Sequence, residues 1–199
     1  MIKLVRVKRI LALGAFGLYL GSCATGGGVY SDPTEEQILG DKWNNSDANK
    51  TAQYMIDSVT TAAWIDEYVK VHKGEKPIVI VDEVENRTDE HIDTKALTEA
   101  IRSQLINSRK VRFVDAAKRQ KILDELKYQH SGAVAKETAK KKGAQIGAAY
   151  LLGGGLSNIV DTKGDYKTVT YQVDMTLTNI ETAEIEWNGQ NKIKKSFKR

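Results

Sequence analysis

The sequence predicts one α/β domain, a mixed sheet flanked by helices that ends in an antiparallel meander of three strands. Helical and strand-like patterns alternate over most of the chain, in the order α, β, α, β, α, α, which is typical of a sheet covered by helices. The last third loses the helical spacing and alternates apolar with polar residues, which indicates strands with one buried face. The 199 residues are enough for one domain together with a leader and a tether.

A leader is expected before this domain. Residues 1–22 contain basic but no acidic residues, and their apolar run at 10–20 is shorter than the roughly 20 residues of a membrane-spanning helix. This is the pattern of an export signal. The tetrapeptide LGSC at 20–23 resembles the lipobox of bacterial lipoproteins. We therefore expect cleavage before Cys23 and attachment of lipid to its sulfur. It is the only cysteine, so no internal disulfide is possible.

The basic character of the chain belongs to this leader. Residues 1–22 hold four of the 30 lysines and arginines and none of the 26 acidic residues, so the formal charge of +4 falls to zero without them. The electrostatic argument for a nucleic-acid partner therefore disappears. A basic cluster remains near the C-terminus, at Lys192, Lys194, Lys195, Lys198 and Arg199. A solvated tail is the simpler interpretation of this cluster, and contact with anionic lipid or a cell-wall polymer is the alternative.

The segment after the cysteine predicts a flexible tether. Residues 24–41 are rich in glycine and polar residues and include Pro33. Fully extended, such a segment reaches at most about 60 Å, and its average reach is about 25 Å. The predicted organisation is a signal at 1–22, a lipidated tether at 23–41 and a globular domain at 42–199.

The domain is expected to open with a long helix and a buried strand. From Ser46 to the turn signals at 73–77, apolar residues recur at spacings of three and four. That helical face consists of Ala52, Met55, Ile56, Val59, Ala63 and Tyr68. Four consecutive β-branched residues at 78–81 predict a buried central strand. Residues 83–93 predict a polar loop.

A second helix and a second strand are predicted next. Asp93 or Thr94 caps a helix that runs to residue 107. Its apolar face contains Leu97, Ala100, Ile101 and Leu105. Residues 111–114 predict the strand.

Two further helices are expected before the last third. Asp115 caps the first of them, and its inward residues are predicted to be Ile122, Leu123 and Leu126. Residues 131–132, Ser-Gly, break this helix. Residues 133–142 then predict a short basic helix.

The last third predicts three strands joined by turns. The first strand covers 149–159 and a hairpin turn covers 161–165. Residues 166–179 predict the second strand, with Tyr171, Val173, Met175 and Leu177 on one face. A turn at 181–183 leads into the last strand at 184–194, whose inward residues are predicted to be Ile185, Trp187 and Ile193.

Nothing in the chain predicts an enzyme. The three histidines, at 72, 91 and 130, form no metal-ligand pair, and the only cysteine is assigned to lipid. The glycines at 153–155 lie inside a strand with no helix after them, so close packing or a bulge is expected rather than a phosphate cradle. Acid pairs at 82–83 and 89–90 suggest glycosidase carboxylates, but solvated loop acids are expected in a chain that is 28% charged. We expect no metal, no cofactor and no small-molecule substrate.

One loop is a candidate contact surface. Glu85, Asn86, Arg87 and Thr88 follow the expected carboxyl end of the buried strand at 78–81. Open α/β sheets usually place their binding sites at this end of the strands. These four residues are therefore the partner-binding candidates.

Several segments together resemble the LpoB family of periplasmic lipoproteins, over about 78–195 and the lipobox. The segments that carry the resemblance lie at 81–88, 91–94, 97–105, 111–115, 127–132, 149–154, 178–187 and 193–195. The family implies a fold similar to the N-terminal domain of TolB. It also implies a lipoprotein that docks on a regulatory domain of a class A penicillin-binding protein and activates this peptidoglycan synthase allosterically.

The resemblance also bears on location. Ala24 follows the lipidated position, where Asp retains a lipoprotein in the inner membrane under the enterobacterial sorting scheme, so outer-membrane delivery facing the periplasm is expected where that scheme operates. Two features depart from the family: the tether is short with one proline rather than long and rich in Pro and Gln, and Ala183 replaces a glycine in the final turn.

Two other functions stay open at this point. Curli-secretion and TolB-like envelope assembly lipoproteins share the pattern of the same region, which makes them the alternative. The chain has no long amphipathic membrane hairpins of the kind that build a pore, which argues against secretion. A cell-envelope enzyme is the third possibility.

Overall fold

A computed structural model describes residues 40–143 and 145–198. The predicted signal, Cys23 and the tether up to residue 39 lie outside the described residues, so the three predicted boundaries stay predictions. Among the described residues, no helix has the length and apolar character needed to cross a membrane.

Four helices and six strands form the described domain. The helices are α1 (Asn45–Thr61), α2 (Trp64–Val71), α3 (Thr94–Ser108) and α4 (Arg119–Gln129), with a 3-10 turn at Ala116–Lys118 before α4. The strands are β1 (Ile78–Val81), β2 (Glu85–Asn86), β3 (Arg112–Phe113), β4 (Tyr150–Lys163), β5 (Tyr166–Asn179) and β6 (Ile185–Lys198). The sheet order is β3-β1-β4-β5-β6, and β2 pairs with β4 beyond the end of β1.

The sheet is mixed, as predicted. β1 runs parallel to both β3 and β4, whereas β4, β5 and β6 form an antiparallel meander. The helix α1 packs on α3 and on β6. One buried cluster joins these helices to one face of the sheet, including Leu97 and Ile101 of α3 and Val173, Met175 and Leu177 of β5. We call this the covered face.

The opposite side, the open face, is polar. Cross-strand partners in an antiparallel sheet point the same way, so the register places Gly155, Asp174 and Gln190 in one row of this face. The β5 residues that point there are all half-buried: Thr168, Thr170, Gln172, Asp174, Thr176 and Thr178. Small and polar side chains predominate on this face, although Leu151 and Ile159 of β4 also point there and are exposed.

The first helix is divided in two, contrary to the prediction of one continuous helix. The break falls at Ala62, whose backbone is extended (φ −70°, ψ 151°). The indole Nε1 of Trp64 donates a hydrogen bond to the Val59 carbonyl at 2.8 Å, which satisfies one of the free carbonyls at the end of α1. Ala63 is exposed as a result, although the periodicity placed it on the buried face.

The predicted polar loop at 83–93 contains the short strand β2. Val84 is fully buried, and its N–H donates to the Thr98 hydroxyl at 2.9 Å. This inward anchor returns the chain to β4, where β2 pairs with Gly155 and Leu156. Val84 and Ile92 are the two apolar residues of this polar run, and Val84 was the available signal that the chain turns inward before β2.

The prediction for α4 was wrong in its packing. Ile122 and Leu123 are 45% and 43% exposed, and α4 contributes no buried residue. Amphipathic spacing identifies an apolar stripe but does not say what covers it. The helix follows a two-residue strand at the edge of the sheet and packs mainly on its own 3-10 turn.

The basic helix predicted at 133–142 is absent, and isolated turns take its place. Ten residues are below the length at which a helix is stable without packing.

The final strand differs from its prediction at both ends. β6 continues to Lys198, beyond the predicted end at 194, while Ile185 is 62% exposed instead of inward. In the turn before β6, Ala183 adopts a left-handed backbone (φ 61°). Its Cβ costs roughly 1 kcal/mol in this region, so the departure from the family's glycine carries a cost.

Candidate functional site: a docking surface on the open face

The four predicted contact residues lie at the carboxyl end of the first strand. Glu85 pairs in register with Gly155 and Asn86 with Leu156, and the Arg87 N–H donates to the Leu156 carbonyl at 2.8 Å. Alternation along the chain therefore places the side chains of Glu85 and Arg87 on the open face.

Glu85 and Arg87 form an ion pair on that surface. Arg87 Nε lies 2.8 Å from Glu85 Oε2, and the two side chains are 53% and 64% exposed for Arg87 and Glu85 respectively. The guanidinium lies across Gly155, where an added Cβ would sit 2.6 Å from Arg87 Nε. A pair this exposed adds little to stability, but it displays a planar donor group and a carboxylate to a partner.

The middle glycine of 153–155 has a different role. A Cβ on Gly154 would lie 2.0 Å from the Asp174 carbonyl oxygen, because β5 passes too close for any side chain. Gly153 has an Asp82 atom at an ordinary 3.6 Å. Of the three glycines for which close packing or a bulge was predicted, Gly154 shows the close approach of a neighbouring backbone, whereas Gly155 is approached by the Arg87 side chain.

Asn86 and Thr88 shape the loop. The Asn86 Oδ1 accepts hydrogen bonds from the Thr88 N–H (3.0 Å) and hydroxyl (2.7 Å), while its Nδ2 donates to the Glu90 carbonyl at 2.9 Å. Such side-chain bonds to nearby backbone are the usual way in which Asn stabilises a turn. Of the four predicted residues, two thus build the loop and two face outward from it.

The far side of the loop is fixed to the sheet by residues that the sequence prediction missed. Tyr171 donates its hydroxyl to Glu90 Oε1 at 2.6 Å and accepts from the Trp43 N–H at 3.0 Å. Burial and the bond to Glu90 hold the pKa of the Tyr171 phenol well above its ordinary value, so it remains a donor. Buried tyrosines require a polar partner, which was the available signal, but the alternation of β5 does not identify the partner.

Asn158 provides a second attachment. Its Nδ2 donates to Asp89 Oδ1 at 2.9 Å. This hydrogen bond is the main reason that the pKa of Asp89 lies below its ordinary value. With Tyr171, it makes the loop a preorganised element instead of a free one.

Acidic side chains lie at the same end of the open face as the ion pair of Arg87 and Glu85. Asp82 and Glu83, at the end of β1, are exposed. Asp174 accepts hydrogen bonds from Gln172 and Gln190, each at 2.7 Å. The surface around Arg87 therefore suits a partner that presents basic or amide groups.

A cavity of about 560 Å³ lies beyond the loop, against the start of α1. Its walls are Lys42, Trp43, Asn44, Asn45, Ala48, Asp89, Glu90, His91, Ile92, Asp93 and Ala96. Within residues 40–143 and 145–198, no group of three or more His, Cys, Asp or Glu side chains is placed to hold a metal ion. The expected absence of catalysis stays a prediction.

A family model and a curated relative name the same family. The family model described as peptidoglycan-synthase activator LpoB matches residues 47–193. The penicillin-binding protein activator LpoB of Cronobacter turicensis is 26% identical over 119 residues, which cover 60% of this chain and 51% of that protein. The match thus spans about half the length of that relative.

Two solved structures that carry the name LpoB have a lower sequence identity to this chain than that relative has. The LpoB C-terminal domain from Salmonella enterica is 20% identical, with a TM-score of 0.45, over 74% of this chain and 98% of that one. The NMR structure of Escherichia coli LpoB is 19% identical, with a TM-score of 0.41, over 96% of this chain and 94% of that one.

Proposed function

The chain belongs to the peptidoglycan-synthase activator LpoB family, and from this premise we propose that it binds and activates a class A penicillin-binding protein. The family match is the observation that carries the proposal, because residues 47–193 include most of α1, the loop at 85–88 and most of the meander. The partner surface is a regulatory docking domain of the synthase. This role requires a complementary surface on the activator and no catalytic group of its own.

The proposed mechanism is a shift in conformational equilibrium. An activator raises synthase activity only if it binds the active conformation more tightly than the inactive one. A rigid docking loop strengthens the binding on which this shift depends, because no free energy is spent on ordering the loop at the moment of binding. The bonds of Tyr171 to Glu90 and of Asn158 to Asp89 supply that rigidity.

The open face has room for such a partner. The half of the three strands nearest the loop, about seven residues of each at about 3.3 Å per residue and 4.8 Å between strands, gives roughly 330 Å² without the hairpin end. With the loop added, this is the central part of the roughly 800 Å² per partner of a standard interface. We assign Arg87 and Glu85 as the polar contacts that fix the orientation of the complex.

The anchor is part of the proposed function. Lipid on Cys23 would hold the domain on the periplasmic side of the outer membrane. With a tether that averages about 25 Å, the synthase must bring its docking domain close to that membrane. Because the tether is short, the partner itself must extend across the periplasm to reach the domain.

Reconstitution tests the activation. The full lipidated chain in detergent is mixed with each class A synthase of the same organism, and glycan polymerisation is followed with a labelled lipid-linked precursor. We expect a several-fold increase in rate with the cognate synthase. Stimulation of none of these synthases would overturn the proposal.

A pair of variants tests the docking loop. Arg87→Ala should weaken synthase binding by about tenfold or more, as expected for loss of a central arginine in an interface. Arg112→Ala is the matched control, since Arg112 also forms an exposed ion pair, with Glu75 at 3.3 Å, on a different strand. Equal losses in the two variants would argue against the loop as the contact.

A single substitution tests the anchor. Cys23→Ala removes the sulfur that would carry lipid, so globomycin-sensitive processing and membrane fractionation should both be lost. Unchanged fractionation of this variant would exclude Cys23 as the lipidated residue.

A further inference from the structure

The hairpin end of the open face carries a group of lysines around one tyrosine. Lys163, Tyr166 and Lys198 are neighbours in one cross-strand row. Lys194 and Lys192 lie on the same side of β6, opposite Thr170 and Gln172. All five are exposed, and Tyr166 is 58% exposed. We call these five residues the basic tip.

The charges of the basic tip are uncompensated. Within the part of the chain that the structure describes, none of its four ammonium groups lies within 4.0 Å of a carboxylate. Lysines on the covered face of the same strands are paired, Lys167 with Asp41 and Lys195 with Asp47, each at 2.5 Å. Whether a lysine of these strands is paired therefore depends on the face to which it points, and not on how many lysines lie nearby.

Two acids lie near the basic tip and reduce its charge without cancelling it. Asp161 shares the open face, one row from Lys163, and Asp165 lies in the hairpin turn. Four lysines against two aspartates leave a net positive charge at this end. The opposite end of the face is acidic, with Asp82, Glu83 and Asp174 around the Arg87 pair.

Apolar and aromatic groups are interleaved with these lysines. Ile159 is 63% exposed and shares an open-face row with Thr170 and Lys194. Lysines that extend their aliphatic stems beside exposed aliphatic and tyrosine side chains are typical of surfaces that rest in the headgroup layer of a membrane.

The tether enters the domain at the same end of the sheet, although its contacts are on the covered face. Asp41 pairs with Lys167, the neighbour of Tyr166 in the chain, and the Lys42 carbonyl accepts a hydrogen bond from Lys195 Nζ at 2.6 Å. The chain therefore enters the domain beside the β4–β5 hairpin. From residue 40 back to Cys23, its average reach is roughly 23 Å, so a lipid at Cys23 would keep this end of the domain near the membrane.

From these observations we propose that the basic tip binds anionic phospholipid headgroups and seats the domain on the membrane that holds Cys23. This rests on lipidation of Cys23 but not on the synthase. Each lysine near an anionic surface strengthens binding about fivefold, which is weak alone and sufficient for a tethered domain. The loop at 85–88 lies eight residues along β4 from Lys163, so a seated domain would hold it roughly 26 Å from the lipid.

Hydrogen exchange on the anchored protein tests this proposal. The full lipidated chain is incorporated into vesicles of phosphatidylcholine alone or with about one third phosphatidylglycerol, so the lipid anchor is the same in both. We expect amides of the hairpin turn and the end of β6 to exchange at least threefold more slowly in the anionic vesicles. The protection should disappear in about 0.5 M salt, since the attraction is screened.

Two triple variants test whether the protection depends on the basic tip or on the net charge of the domain. The triple variant Lys192→Gln, Lys194→Gln, Lys198→Gln should lose the protection. A control that neutralises three exposed lysines elsewhere, Lys70→Gln, Lys118→Gln and Lys121→Gln, should keep it. Equal behaviour of the two triple variants would overturn the assignment of the surface.

Other occupants give distinct outcomes. Protection of the basic tip in phosphatidylcholine vesicles after addition of inorganic phosphate would indicate an anion site instead of a lipid surface. Protection there after addition of a soluble anionic wall polymer would assign the patch to the cell wall. Either result, or the absence of any difference between the two vesicle types, would overturn lipid binding. None of these outcomes affects synthase activation by the same protein in detergent.

Discussion

The two faces of the meander are built from the same three strands, but the lysines on them are paired on one face and exposed on the other. On the covered face, each buried polar group described above has a specific partner: Lys195 with Asp47, and the Tyr171 hydroxyl with Glu90. On the open face, Lys192, Lys194 and Lys198 point into solvent from the same strand. Stability therefore depends on the first face, and the second is free to carry binding groups.

The largest expected difference between the faces is at two adjacent lysines. Lys195→Met would leave the Asp47 carboxylate buried without its counter-ion, since the two side chains are only 5% and 9% exposed. Loss of one member of a buried pair costs roughly 3–5 kcal/mol. Lys194→Met, the control on the open face, should change the unfolding free energy by less than about 0.5 kcal/mol. Urea unfolding of the two variants measures both values, and similar losses would contradict the comparison.

The double variant Asp47→Leu, Lys195→Met refines this result. Replacement of both charges with apolar groups should recover most of the lost stability, as it does where the penalty comes from an uncompensated charge. No recovery would mean that Asp47 acts mainly through its hydrogen bond to the Asn44 N–H, at 2.9 Å, in the cap of α1.

A smaller difference is expected between two adjacent glycines. Gly154→Ala forces the new Cβ against the Asp174 carbonyl, only 2.0 Å away, and strain of this kind costs about 1–3 kcal/mol. Gly153→Ala places its Cβ at an ordinary 3.6 Å from Asp82, so it should be neutral or stabilise the strand by up to about 1 kcal/mol. Thermal unfolding of the two variants should order them in this way.

Next in size is the contrast between two tyrosines. Tyr171→Phe removes the hydroxyl that donates to Glu90, and a hydrogen bond to a charged group contributes about 1.5–3 kcal/mol. The loss should fall near the lower end, because Asn158 and Asn86 still hold the loop. Tyr166→Phe on the open face should change stability by less than about 0.5 kcal/mol. Proteolysis within 85–92 provides a local readout, and it should accelerate only in the first variant.

The sequence predicted the covered face better than the open one. The alternation of Tyr171, Val173, Met175 and Leu177 predicted burial correctly, because a period of two fixes which side chains share a face. The same pattern gives no information on what lies beyond a face, and for that reason the apolar stripe of α4 was wrongly placed in the core. Ion pairs between residues far apart in the chain, such as Lys195 of β6 and Asp47 of α1, could not be predicted from this pattern either.

The candidate site was predictable in position but not in detail. A polar loop after a buried strand identified residues 85–88, because strand ends in open sheets meet at one edge. The roles within the loop depend on hydrogen bonds that no spacing encodes, among them the bond that joins Tyr171 to Glu90 across 81 residues of chain. The sequence showed the basic cluster near the C-terminus. Only the register of β6 shows that Lys195 is buried while its neighbours are exposed.

The smallest expected effect is a difference between the two faces in how the unfolding free energy depends on pH. The hydrogen bond from Lys167, helped by its charge, holds the pKa of the Asp41 carboxyl below its usual value of 3.8. A depressed carboxyl pKa stabilises the fold at pH values above the unfolded pKa, and this contribution is lost as the pH falls through the folded value. Lys167→Gln should therefore destabilise the domain at pH 7 by up to about 1 kcal/mol. The difference from wild type should close between pH 4 and pH 2, whereas Lys163→Gln, which removes an unpaired lysine of the open face, should show no such pH dependence. Urea titrations at pH 7 and pH 2 compare the two variants, and an equal pH dependence would show that pairing with carboxylates does not separate the two faces.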